Sequence, residues 1–348
     1  MFVEGPADEP DSPRLMEQMT RPTNCRPAAL RFYPTSYNGL EDSFLSSIGF
    51  VFLMSSAINL GDYFTGSHCA ISFELVPPKT DAGMELLEKN VERLKEFQPS
   101  FFTCTYGAGG STQTRTLDVV KKVREMTGLP VASHLTCVGS TVEQLREYLT
   151  QAKKMGADYI VALRGDPPKG SDSFEAVDGG LRYANELVEL IQADFPGQFG
   201  IAVAGYPEVH QEAPDAQTDL DNLKRKVDAG ADVIVTQLFY DNADFYRFRD
   251  ACVAAGINIP IIPGILPVTN FKQAQRIAGM CKAHIPDQMS AAMNESDDAD
   301  YQFKVGVDHA RVQTIDLIEK DVPGIHNYVL NKSDAAAQML DGLSLGCK

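Results

Sequence analysis

Glu74 follows a short apolar run, Ala70-Ile71-Ser72-Phe73, and precedes Leu75-Val76-Pro77-Pro78-Lys79. A carboxylate at a strand end inside a fold is partly desolvated, which raises its pKa and suits a general acid or base. The Pro-Pro pair stiffens the following turn and fixes where that carboxylate points. A helix-capping Glu, or one paired with Lys79, is the structural alternative. Arg164-Gly165-Asp166 closes another apolar run, Tyr159 to Leu163. A cation and an anion one residue apart can bind a phosphate or ring carbonyl together with a ring N–H; an internal ion pair is the alternative. Thr105-Tyr106-Gly107-Ala108-Gly109-Gly110 offers backbone N–H groups that can approach a phosphate or a flat ring. Such Gly-rich turns are common, so this signal is weak alone. His134, taken alone, reads as a satisfied core imidazole more readily than as a catalyst. Tyr206-Pro207-Glu208-Val209-His210, followed by Asp219, Asn222, Arg225 and Lys226, is denser in function-type residues than a solvated helix face requires. Arg225 and Lys226 could answer a pyrophosphate, although Lys224-Arg225-Lys226 by itself reads as an exposed charged face.

The elements that must position these residues repeat along the chain. Seven apolar runs end in a polar or turn-forming residue: before Glu74, Thr105, His134, Arg164, Tyr206, Gln237 and Gly264. Amphipathic spacings of three and four predict helices over about 82–97, 114–127, 141–155, 180–194, 218–229, 242–255, 270–280 and 301–320. Thr141 and Gln144 make a capping box. Gly156-Ala157-Asp158 and Gly230-Ala231-Asp232 each close a helix and lead directly into a strand. An eighth strand is expected at Ile325–Leu330, and the acidic Asn294–Asp300 reads as a surface loop. Alternating strands and helices with near-continuous apolar strands mean parallel strands covered on both faces. Polar groups gathered at their C-terminal ends point to a (β/α)₈ TIM barrel with its site at that face.

Composition narrows the function classes. A chain of 348 residues at 44% hydrophobic content can hold one such barrel over about 66–340. The formal net charge of −16 argues against nucleic acid or an anionic membrane as the main partner. Seven cysteines without a Cys-x-x-Cys pair read neither as a disulfide framework nor as a zinc site, so a reducing, cytoplasmic setting is expected. No His or acidic cluster has metal-ligand spacing, no Gly-x-Gly-x-x-Gly or Walker sequence appears, and no Lys ends a strand where a Schiff base would need it. Residues 1–65 differ from the rest. Six prolines in residues 1–40 and the absence of periodicity predict a flexible extension, or a mis-annotated one with Met54 as the true start. Ile48–Met54 is too short to span a bilayer.

Together the motifs carry a resemblance. Ile71-Ser72-Phe73-Glu74 with Pro77-Pro78-Lys79, Thr105-Tyr106-Gly107-Ala108, His134-Leu135-Thr136-Cys137, Ala162-Leu163-Arg164-Gly165-Asp166, Tyr206-Pro207-Glu208-Val209-His210, Thr236-Gln237-Leu238-Phe239 and Pro263-Gly264-Ile265-Leu266-Pro267 occur in order. From about Ile71 to Lys332 the chain resembles the methylenetetrahydrofolate reductases. The resemblance implies a (β/α)₈ barrel that binds FAD noncovalently. It also implies reduction of 5,10-methylenetetrahydrofolate to 5-methyltetrahydrofolate with NADH or NADPH as donor, in one-carbon metabolism and methionine biosynthesis. It makes Glu74 the general acid that protonates the folate nitrogen. Thr105, Tyr106, Ala108, His134, Arg164, Gly165, Asp166, Tyr183, Ala184, Tyr206, His210, Ala213, Asp219, Asn222, Arg225 and Lys226 match FAD-contacting positions. Asp166 would sit between flavin and pterin, Gln237 would touch folate and nicotinamide in turn, and Gln273 and Lys332 match folate-contacting positions. Ile277 stands where some members carry a stacking aromatic. Lys332 stands where the bacterial form has Arg, keeping the charge and losing bidentate geometry. The chain ends soon after the barrel, so the short form without the regulatory domain is expected, as a homo-oligomer. Two other classes stay open: a pterin-using barrel transferase without flavin, and a flavin-binding barrel that has lost catalysis.

Overall fold

The structure, a computed structural model, describes residues 59–66, 69–106, 113–166, 174–343 and 345. Eight parallel strands close into a barrel in the order of the sequence. They are β1 (Ala70–Leu75), β2 (Phe101–Cys104), β3 (Val131–Thr136), β4 (Tyr159–Leu163), β5 (Gly200–Gly205), β6 (Val233–Leu238), β7 (Ile261–Ile265) and β8 (Gly324–Tyr328). The covering helices are α1 (Asp81–Lys95), α2 (Gln113–Thr127), α3 (Val142–Lys154), α4 (Ala184–Asp194), α5 (Ala216–Asp228), α6 (Asn242–Ala254), α7 (Phe271–Cys281), α8 (Asp287–Asn294), α9 (Ala299–Glu319) and α10 (Ser333–Leu340). No described helix is long and apolar enough to cross a membrane.

Two of the three hydrophobic clusters among the described residues follow from the period-two alternation of strand side chains. Ile71, Phe73 and Leu75 of β1, Phe102 of β2, Ile160 of β4 and Ile201 of β5 face outward and pack under the helices. The intervening positions, Ala70, Phe101, Ala132, Tyr159, Val161, Ala202, Val233 and Ile262, fill the lower barrel. Both faces of each strand are therefore buried, which is why the runs read as continuously apolar.

A short 3₁₀ helix, Leu60–Phe64, belongs to that inner core, with Leu60 and Phe64 both buried. The Phe64 ring meets Phe101 edge-on at 6.1 Å. Gly324 makes room for it, since a Cβ there would stand 2.6 Å from the Phe64 ring. The division expected at residue 65 is thus corrected: residues 59–65 pack on the barrel. Five residues are too few to show a period, so the helix was indistinguishable from the extension. The Phe50–Leu53 run and the rest of residues 1–58 lie outside the described residues.

Other departures have local causes. β3 continues through His134 to Thr136, and β1 includes Glu74, so both residues lie inside strands instead of after them. The expected loop at Asn294–Asp300 shrinks to a link between α8 and α9, because Met289 and Met293, four apart, bury one face of a helix. β8 ends at Tyr328 because Leu330 and Asn331 adopt left-handed φ angles of 47° and 57°. α10, rich in Ala, closes the chain's helical layer against α9 and α1. Pro263 in β7 has no N–H to donate, the β6–β7 register shifts between Val235 and Leu238, and the Gly264 N–H goes to the Thr236 hydroxyl at 3.0 Å.

Candidate active site

Inward alternation carries Ala70 and Ser72 of β1 up to Glu74, and Ala132 of β3 up to His134. Closure of β1 against β8 sets Ser72 beside His326. The Glu74 carboxylate consequently lies between two imidazoles, 3.5 Å from His134 Nε2 and 3.9 Å from His326 Nε2. Lys79 is exposed and does not take this place. The other nitrogen of His326, Nδ1, is 2.8 Å from the Ser72 hydroxyl, and the Asn327 amide donates to the Ser72 carbonyl at 3.1 Å. Burial lowers the His134 pKa against the upward pull of Glu74, and His326 lowers it further. Burial, aided by Glu74, drives the Tyr328 phenol well above its ordinary range. Tyr328 is held by donating to the Thr236 carbonyl at 2.7 Å.

A second group surrounds the ends of β4 and β5. Arg164 makes a bidentate pair with Glu212, at 2.6 and 2.5 Å, so its partner is not Asp166 but a residue of the β5–α5 loop. Gly165 has φ +90°, and a Cβ there would meet Val138 and Thr136, which requires glycine. Asp166 is exposed at the rim. The Tyr206 ring packs against His210 at 4.6 Å between centroids, and Asp219 accepts the His210 backbone N–H at 3.0 Å. Burial lowers the His210 pKa, helped by Arg164. Ala213 donates its N–H to the His210 carbonyl. Lys226 turns inward, lying 5.8 Å over the Tyr206 ring and donating to the Ala204 carbonyl at 2.5 Å. Burial pulls its pKa down to about 8, with Asp219 opposing. Arg225, one residue earlier, is exposed and bonded to Asn222 at 2.8 Å, and Lys224 pairs with Asp228 at 2.9 Å. The basic run therefore splits by helical phase into a solvated face and one half-buried, inward-turned cation.

A third group lines a pocket between β7 and β8, formed in part by Leu266, Gln273, Ile277, Tyr328, Leu330 and Lys332. Tyr328, on the same face of β8 as His326, lines this pocket. Gln237, at the top of β6, bends back to accept its neighbour's N–H, Leu238, at 2.9 Å.

The remaining expected residues stand apart. Thr105 donates its N–H to Leu75 at 2.9 Å at the top of β2, and the Tyr106 ring packs edge-on to Tyr148 at 5.1 Å. Tyr183, exposed at the start of α4, accepts the Cys137 thiol on its carbonyl, and Ala184 is the first residue of that helix. Ala108 lies outside the described residues, as do Pro167 and Pro168. Sequence reasoning missed His326, Ser72, Tyr328 and Glu212. The first three had a signal, since alternation along Ile325-His326-Asn327-Tyr328 places His326 and Tyr328 on one face, and alternation along β1 places Ser72 on the face of Glu74. Glu212 had none.

Fold and site together define a (β/α)₈ barrel with a carboxylate held between two imidazoles at its mouth and a half-buried cation on the β5 side. The chain belongs to the methylenetetrahydrofolate reductase family, whose model matches residues 60–344. It is 43% identical over 265 residues to 5,10-methylenetetrahydrofolate reductase of Escherichia coli (strain K12), covering 76% of this chain and 87% of that one. It is 40% identical over 286 residues to methylenetetrahydrofolate reductase (NADH) 1 of Arabidopsis thaliana, covering 79% of this chain and 48% of the relative, so it spans about half the length of the plant relatives it matches. In structure it is similar to an uncharacterized protein from Clostridium thermocellum that binds two copies of 5-methyl-5,6,7,8-tetrahydrofolic acid, with a TM-score of 0.53, 15% identity, and coverage of 78% of this chain and 93% of that one. At that identity the likeness concerns the fold.

Proposed function

We propose that the protein reduces 5,10-methylenetetrahydrofolate to 5-methyltetrahydrofolate, with NADH as donor and a noncovalently bound FAD in the barrel mouth. The observation that carries this reading is the Glu74 carboxylate, held inside the mouth between His134 and His326. Relatives named for the same reaction, and the NADH in the plant relative's name, support it.

The residues present fit a flavin dinucleotide. Lys226 and Arg164 bring cations to the β4–β5 side. Thr136, at an inward position of β3, has a buried hydroxyl without a partner among the described residues. Gly165 keeps the rim of β4 free of a side chain. Tyr206, His210, Asp219 and Lys226 would hold the cofactor on that side, with Asp166 at its edge. When reduced, the flavin supplies the hydride.

The chain's own residues supply the proton and the positioning. Glu74 delivers a proton to the folate nitrogen, and the bridging ring opens to an iminium carbon able to accept hydride. His326, fixed at Nδ1 by Ser72, keeps Nε2 toward Glu74 and so holds the carboxylate in place. Gln273 and Lys332 bind the folate on the β7–β8 side, where Lys332 meets its carboxylate tail as a point charge. Gln237 serves folate and nicotinamide in turn.

Purified protein should carry a flavin spectrum, or acquire one with added FAD. Anaerobic NADH should bleach it and 5,10-methylenetetrahydrofolate should restore the colour. Protein that stays colourless with excess FAD overturns the proposal.

A further inference from the structure

The seam where the barrel closes carries a side-chain clamp directly above the site. The Asn331 amide bonds twice to Val76, accepting its N–H at 2.8 Å and donating to its carbonyl at 2.6 Å. One side chain thereby imitates a further rung of the β1–β8 ladder, beyond the last backbone pair, Glu74 with Tyr328. A second amide braces the first. Asn90 of α1 donates to the Asn331 carbonyl at 2.8 Å and accepts the Ser333 hydroxyl at 2.7 Å. Both residues flanking Lys332 are thus fastened to the α1 side of the seam.

The backbone at the clamp is itself unusual. Leu330 and Asn331 have consecutive left-handed φ angles, 47° and 57°. Asn tolerates that region and Leu does so at a cost, so such a pair persists only where its surroundings impose it. The left-handed turn ends in a Lys332 N–H to Val329 carbonyl bond at 2.7 Å. Lys332 lines the β7–β8 pocket, whereas its side chain, exposed and long, has no rigidity of its own. Val76 lies two residues past Glu74. The clamp therefore joins the exit of the strand bearing the proposed acid to the turn bearing the proposed substrate cation.

We infer that Asn331 is a positioning residue for the folate substrate, setting the place of Lys332 relative to Glu74 by its reciprocal bond with Val76. This rests on the proposed folate reduction and adds to it a residue that touches no substrate.

Asn331→Gly tests this, because glycine keeps the left-handed backbone and removes only the amide. With flavin-loaded protein, the KM for 5,10-methylenetetrahydrofolate should rise about tenfold. The rate of flavin reduction by NADH should stay within about twofold, because Lys332 is assigned to the folate alone. Asn331→Asp, which accepts the Val76 N–H but sets an oxygen against the Val76 carbonyl, should raise KM at least as much. In a Lys332→Met background, Asn331→Gly should add less than about twofold, because the two act as one unit. An unchanged folate KM, equal losses in both half-reactions, or an undiminished effect in the Lys332→Met background would overturn the inference. So would insolubility of both Asn331 variants, which would make the clamp a folding element. Wild-type protein without folate-linked turnover would overturn the parent reading instead, so the two failures are distinguishable.

Discussion

The two ends of the barrel use the same inward positions of the same strands for opposite purposes. At the lower end Ala70, Phe101, Tyr159 and Val233 close over Leu60 and Phe64 into a buried hydrophobic cluster. Further along β1 and β3 the chemistry changes: Ala70 gives way to Ser72 and then Glu74, and Ala132 to His134. At the upper end burial acts on charge. It lowers the pKa values of His134, His210 and Lys226 and raises that of Tyr328. The lower end gains stability by excluding water; the upper end gives some up, because ionisable groups are held where their charged forms are disfavoured.

The sharpest test of this contrast replaces the acid. Glu74→Gln should slow the folate half-reaction by about 10²–10⁴-fold, the usual worth of a general acid, while flavin reduction by NADH stays within about tenfold. Stopped-flow measurement of each half-reaction reads the two rates, and equal losses would make Glu74 structural. At the other end Phe64→Ala should cost about 3–5 kcal/mol of stability in urea unfolding and leave the folate KM unaltered. A loss of activity without a loss of stability would mean that the ends are coupled.

A smaller effect is expected at Lys226. Its pKa of about 8 lies below the ordinary lysine value of 10.5, so its charge is present below that pH and lost above it. FAD association measured by fluorescence quenching should weaken as pH rises through 8, by roughly tenfold, the worth of one charge-assisted contact. Lys226→Met should bind weakly throughout and lose this pH dependence; a retained pH dependence would assign it to another group.

His134 gives a gentler signal, in stability. Its folded pKa is depressed below the ordinary 6.5, so its contribution is present above 6.5 and lost as pH falls below that value. The unfolding free energy should decline from pH 7.5 to 5.5, with His210 and His309 adding to the slope. His134→Gln should make the decline shallower, and an identical slope would show that His134 does not titrate there. The smallest effect is expected from removing residues 1–53. Protein beginning at Met54 keeps Leu60 and Phe64, so turnover should stay within about threefold of the full chain and the melting temperature within a few degrees. Insoluble protein would place part of that segment in the lower core.

The amino-acid sequence by itself determined the strand–helix alternation, the barrel and the place of Glu74 at the end of an apolar run. Those follow from local periodicity and from a carboxylate set in an apolar run, both visible within a few residues. Even the in-and-out assignment of Ser72, Glu74 and His134 is legible once the sheet is known to close. Tertiary structure alone decided which distant groups meet. His326 reaches Ser72 across 254 residues because β8 pairs with β1, and no local pattern encodes that register. Lys226 turns inward and Arg225 is solvated because α5 docks with one phase against β5, so adjacent cations of similar sequence signal have different fates. Arg164 finds Glu212, and Asn331 finds Val76, through loop paths that composition does not record. Periodicity fixes which face a side chain takes on its own element, whereas partners across elements are set by register, helix phase and closure of the whole barrel.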